Sequence, residues 1–363
     1  MTSSDTRRAH PTDVLDDALD RLAAYRWVDG PGMAVHAPMG AEALVGLGHA
    51  DVVADWVEAY KARHEPIDGP APVGGLDPAD LSSWRPALGD PSRLTDWHDL
   101  FARRLAEEPW SDVVRTWVPR LLPGYGGAFT HGLLRTSHAV RALSRTAGVE
   151  PSALLLGELA MALAYWAGTF LPLPGDPGLR GDRPLAAALD ALPRPADPGW
   201  SMMEAAQFTR IDELTGFPAA VAAHAAPAGS VDDALSDLTR TFARLLPALP
   251  EVHPFALVHA LTPVAAARAL LPHLPGEAHL DVYRAVWHVD AAIAAGFVPK
   301  GVASDATDLG EPPTPAELVA RAVEHRDPHA IKYTAACLSE HARHPDPAYL
   351  HAAHHTLTRT TPW

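Results

Sequence analysis

The chain reads as an all-α protein on three observations. Strand signals are nearly absent, with no sustained alternation of β-branched residues and no Asn-Gly or Asp-Gly pair read as a hairpin. Apolar residues recur instead at three- and four-residue spacing. Prolines stand where first helical turns begin, as at Asp90-Pro91, Glu150-Pro151, His253-Pro254, Thr314-Pro315 and Asp327-Pro328.

Taken in order, the apolar stripes are Val14, Leu15, Ala18, Leu19, Leu22 and Tyr25; then Val53, Trp56, Val57 and Tyr60; then Leu133, Leu134, Val140 and Leu143. Further stripes follow at Leu235, Leu238, Phe242, Leu245 and Leu246, and at Val282, Val286, Val289 and Ile293. Together they predict about a dozen helices or more. Three stretches break the pattern: 64–92, rich in Pro and Gly; 171–200, with seven prolines and one short helix around Leu185–Leu192; and 299–315. Each reads as a surface loop, and 171–200 alternatively as a lid. No solenoid-length repeat is present. The expected organisation is one helical body over residues 1–363.

With 363 residues, 47% of them hydrophobic, the chain can bury a large core. A net charge of -15 argues against nucleic acid and against an anionic membrane surface as partners. The single cysteine, Cys337, excludes an intramolecular disulfide and a Cys-based zinc site, which fits a reducing, cytoplasmic compartment. No signal peptide is readable in the polar N-terminus. The apolar run from Leu154 to Leu171 carries Gly157, Glu158 and Gly168 and reads as a buried helix rather than a membrane span.

Cys-x-x-Cys, His-Glu-x-x-His, P-loop and Gly-x-Ser-x-Gly motifs are all missing. Gly124-Tyr125-Gly126-Gly127 lacks the third glycine of a dinucleotide loop and follows no convincing strand, so it reads as a turn before a helix. The chemistry then rests on 20 histidines. His341, His344, His351, His354 and His355 read as a solvated face near the chain end. His288 reads as a satisfied core residue. His131 and His138, seven apart, are expected on one helix face with Arg135 beside them, one as a ligand and the other as pocket wall. His36 leads into a helix at Ala37-Pro38, and His259 lies in an apolar helix; a buried histidine requires a partner, and a shared metal is one.

The most informative stretch is Asp327-Pro328-His329-Ala330-Ile331-Lys332. Asp327 suits a helix cap and Pro328 the first turn. His329 and Lys332 then share a face. A cationic lysine so near a helix N-terminus opposes the macrodipole, a first hint that Lys332 is not an ordinary ammonium.

Four segments together resemble the questin oxidase-like family: His36-Ala37-Pro38-Met39 with Leu44-Val45-Gly46-Leu47-Gly48 and Trp56–Tyr60; Phe129-Thr130-His131-Gly132-Leu133-Leu134-Arg135; Val258-His259-Ala260-Leu261-Thr262; and Asp327 to Lys332. The likeness runs from about Leu15 to about Leu338. It implies an all-helical fold and a mononuclear non-heme iron centre held by four histidines and a carboxylated lysine. Carried over, these are His36, His131, His259, His329 and Lys332. It also implies dioxygen and a small aromatic polyketide, anthraquinone-like, as co-substrates in oxidative ring cleavage. The chain departs from the family pattern at Arg135, where a second histidine is common, and at His138, where an apolar residue is common. Lys332, His138 and Arg135 are the candidate catalytic residues, and Trp56, Trp166, Trp287, Phe129 and Phe208 the candidate aromatic walls. Two other readings stand beside this one: a Baeyer–Villiger-type oxidase drawing electrons from NADPH, and a helical binding protein without catalysis.

Overall fold

The computed structural model describes residues 10–30, 33–146, 148–195, 208, 210–249, 252, 254–301 and 309–363. Sixteen α-helices lie within them: α1 Pro11–Arg21, α2 Ala37–Gly46, α3 Val53–Lys61, α4 Leu81–Trp84, α5 Leu94–Glu107, α6 Trp110–Leu121, α7 His131–Ser144, α8 Ala153–Gly168, α9 Leu185–Ala191, α10 Phe217–Ala222, α11 Val231–Ala248, α12 Pro254–Ala267, α13 His279–Phe297, α14 Pro315–His325, α15 Pro328–Arg343 and α16 Pro347–Arg359. The all-α expectation holds. One correction concerns Asp29-Gly30: Val28–Asp29 pairs antiparallel with Met33–Ala34 in a two-stranded hairpin. The hairpin is too short for an alternating apolar pattern to mark it.

Helix starts follow the side chains that can cap them. Asp327 accepts from the backbone N–H of His329 at 2.9 Å and of Ala330 at 3.0 Å, satisfying two orphan donors of α15. Thr314 and Glu317 form a reciprocal capping box at α14. At α8 the cap is Ser152, so the helix starts two residues after the Pro151 that the sequence suggested.

Four helices close a ring: α2 packs on α7, α7 on α12, α12 on α15, and α15 back on α2. α8 lies against α7 and carries α5 on its other side, while α11 packs on α12 and α16 packs on α11 and α15. Gly132 permits the α7–α8 approach, because a Cβ there would come within 2.6 Å of the Trp166 backbone. One continuous apolar core runs from Leu15 to Leu357 and joins both halves of the chain. Each buried Leu or Phe in it contributes about 2 kcal/mol of burial. The stretch Pro254–His273 is long and apolar enough to cross a membrane by composition, but 83% of its most apolar window is buried in this core.

The proline-rich stretches are tied to the body. Asp96 accepts from the N–H of Val73 and Gly74 at 2.9 and 2.7 Å. Leu171 bridges to Tyr125, Arg180 to Ala225 and Arg183 to His224. The 171–200 lid reading concerns a segment whose residues 196–200 fall outside the described ones, as 302–308 do for the stretch 299–315.

Candidate metal centre

The ring of four helices carries one histidine each, from both halves of the sequence. His36 is the N-cap of α2, His131 opens α7, His259 sits one turn into α12 and His329 is in the first turn of α15. Ring centroids lie 4.7 Å apart for His36–His131, 4.4 Å for His36–His329, 5.0 Å for His131–His259 and 5.8 Å for His259–His329. His36, His131 and His329 each offer a ring nitrogen within 4.8 Å of the others, the one such His/Cys/Asp/Glu group among the described residues.

Backbone carbonyls set the tautomers. His36 Nδ1 lies 2.5 Å from Ala34 O, His131 Nδ1 2.6 Å from Ala128 O, and His259 Nδ1 2.7 Å from Phe255 O. A carbonyl only accepts, so each Nδ1 carries the proton and each Nε2 presents a lone pair. The Nε2 atoms of His36 and His131 then face each other at 3.0 Å. Two lone pairs at that distance repel unless a cation lies between or beside them. A proton is disfavoured: burial, then the neighbouring charges, hold His36 well below its ordinary value and push His131 down to about 3. Burial does the same to His259. Two ligand bonds of about 2.1 Å at right angles put their nitrogens roughly 3 Å apart, so the observed separation suits one shared ion. The donor set fits a borderline transition metal, and Nδ1–H bonded to a carbonyl is the usual outer contact of a metal-bound imidazole.

A local strain supports this geometry. Ala128, Phe129 and Thr130 have φ of 46°, 50° and 73°, three consecutive non-glycine residues in the left-handed region. Each costs about 1–2 kcal/mol. The turn aims the Ala128 carbonyl at His131 and sets Phe129 against His259, centroids 4.5 Å apart. Gly127 makes it possible, since a Cβ there would overlap Thr169 O. The Gly124–Gly127 segment follows α6, not a strand, as a turn rather than a dinucleotide loop.

Lys332 is 4% exposed, and burial pushes its amine down to about 7, opposed by the Asp327 charge. Its charge is felt at His36, His131 and His259. No family model matches the chain, and no curated protein matches it.

The remaining expected site residues are distributed differently. Arg135 donates through Nε and Nη2 to Glu158 at 2.6 and 2.8 Å and through Nη1 to Arg26 O. All its described bonds fasten α7 to α8 and to the segment before the hairpin, and none reaches an imidazole, which corrects its expected place in the site. His138 is two turns from His131 and binds Glu42 Oε2 at 2.6 Å; it reaches the Lys332 side of the ring rather than the imidazole group. Phe129 does flank the site, with Phe255 added, and Phe208 packs behind Phe129. Trp56, Trp166 and Trp287 are core: Trp56 donates to Arg326 O, Trp287 to Val221 O, and Trp166 packs on Gly132. His288 bonds Pro174 O at 3.0 Å, as a satisfied core residue does. Glu42 and Phe255 carried no sequence signal of their own.

Proposed function

We propose that the protein is a metal-dependent oxidoreductase, a non-heme iron oxygenase of the questin oxidase-like type acting on an aromatic polyketide with oxidative ring cleavage. The observation that carries this is the opposed pair of Nε2 lone pairs on His36 and His131, buried among two further imidazoles. His36, His131, His259 and His329 would hold the ion, with Lys332 as fifth ligand. A redox-active ion in such a set would relay electrons from the aromatic substrate, which is oxidised, to dioxygen, which is reduced.

The chain's own residues supply the rest. Three helix N-termini, of α2, α7 and α15, bring their positive ends to the site, so an anionic donor is needed beside any cation. Asp327 is engaged as a helix cap and lies 3.7 Å from His329 Nδ1. A carbamate on Lys332 is the anion within reach, and a buried lysine with a lowered pKa is the form that accepts carbon dioxide. Phe129 and Phe255, with Phe208 behind Phe129, exclude water from one side and offer flat apolar surface to an aromatic ring. Iron content of protein purified without chelator tests the reading. About one iron per chain is expected, falling to background in His131→Ala; zinc-only or metal-free protein with unchanged behaviour in that variant would overturn it.

A further inference from the structure

A cleft of ≈ 450 Å³ opens between α2, α7, α12 and α15, the same four helices that carry the imidazoles, one to three turns further along them. Lys332 lines the cleft and stands one turn after His329 on α15, with its charge felt at His36. The charged groups facing the cleft are Glu42, Arg141, Arg145 and Lys332, with His138 beside them.

Glu42 is 3% exposed and engages both arginines, Arg141 Nη2 at 2.7 Å and Arg145 Nη1 at 2.5 Å. One carboxylate thus meets two guanidiniums that always carry charge, leaving an excess positive charge in a chain whose net charge is -15. Each arginine side chain is about one-third exposed, 33% and 30%. Arg141 meets Glu42 through Nε and Nη2, and Arg145 pairs with it through Nη1. Gly46 leaves the space that Arg145 occupies, its would-be Cβ lying 3.3 Å from Arg145 Nη2. The rest of the lining is mostly apolar, Ala265, Ala335, Ala336 and Leu338 among it, with Thr262 and Ser339 as its hydroxyls, so a flat ring with polar substituents can lie there.

We propose that this cleft recognises a carboxylate-bearing aromatic substrate, its carboxylate held at the mouth by Arg141 and Arg145 and its ring directed toward Lys332. Glu42 is the positioning residue: it holds both guanidiniums at the lining of the cleft. The substrate class rests on the reading of the imidazole group as the reactive centre, while the anion site itself does not.

The test is a calorimetric titration of iron-loaded and metal-free protein with 1-hydroxy-2-naphthoate and with 2-naphthol. The naphthoate is expected to bind about tenfold or more tightly than the naphthol, the gain of a charge-assisted pair. The preference should shrink as salt is raised, vanish in Arg145→Gln and survive in Arg145→Lys. Ala336→Trp, which fills the cleft without altering charge, should weaken both probes. Equal affinity for the two probes, or an Arg145→Gln protein that keeps the preference, overturns the proposal. Either result with normal iron content leaves the metal reading standing; a retained preference in protein that takes up no iron supports the anion site and removes the metal reading alone.

Discussion

Two buried polar clusters differ in how completely the protein satisfies them. Between α11, α15 and α16, Arg268 donates to both oxygens of Glu340 at 2.8 and 3.0 Å, to Ser236 at 2.6 Å and to the Asp232 backbone at 2.9 Å. Thr239 joins Glu340 to Tyr349, both at 2.9 Å. Every charge there has an opposite charge, and every donor an acceptor. In the imidazole group the protein fixes the outer nitrogens with carbonyls and turns two inner nitrogens on each other. The first arrangement is complete without a ligand, so its role is to join helices. The second is internally repulsive as it stands, a repulsion that the proposed ion would relieve. Burial of polar groups therefore does not mark a site; mismatched donors and acceptors do.

Substitutions separate the two clusters by readout. The largest stability loss is expected for Glu340→Ala, which leaves buried Arg268 only the partly exposed Asp232 as ionic partner and costs about 3 kcal/mol. Chemical denaturation measures it, and iron bound per folded chain should not change. His36→Ala should do the opposite, abolishing iron binding while shifting the denaturation midpoint of metal-free protein little or upward, because one of the two opposed lone pairs is gone. A metal-free His36→Ala protein that is strongly destabilised would count against the repulsion.

Lys332 gives a pH signature of intermediate size. Its folded value of about 7 lies below its ordinary 10.5. Between those values the unfolded chain binds a proton that the folded chain does not, so the stability of metal-free protein rises with pH across that window, by up to about 1.4 kcal/mol per unit. Below about 7 the penalty is constant. Lys332→Met should remove the slope, and denaturation series from pH 7 to 10 in the two proteins would show it. A slope identical in both would mean that Lys332 is not the buried amine described here. The smallest effect is expected for Ala128→Gly. Release of left-handed strain and the added freedom of the unfolded chain nearly offset each other, leaving a change within about 1 kcal/mol. Iron affinity should still fall, because the carbonyl that orients His131 is less firmly held.

The helices were legible because local chemistry writes them: Asp327-Pro328 and Thr314-Pro315 announce caps that form as read. The Asp29-Gly30 hairpin was not, since two residues per strand leave no periodicity. The candidate ligands are legible as a group only through the resemblance, not from local chemistry. His36 and His131 are 95 positions apart, and nothing in their local sequence says that their rings will face one another. Arg135 misled for the converse reason: a charge beside a candidate ligand was read as facing the same space, whereas Glu158 draws it onto α8. Glu42 carries no signal in the sequence because a lone glutamate in an apolar helix gains meaning only when Arg141, Arg145 and His138 arrive from α7 and its C-terminal end.

The most direct measurement is an anomalous-difference map collected at the iron edge from crystals of protein purified without chelator. A single peak bonded to Nε2 of His36 and His131 is expected, with His259 and His329 around it and branched density at the tip of Lys332. A map without that peak, with a water bridging the two Nε2 atoms and an unbranched lysine, would contradict it.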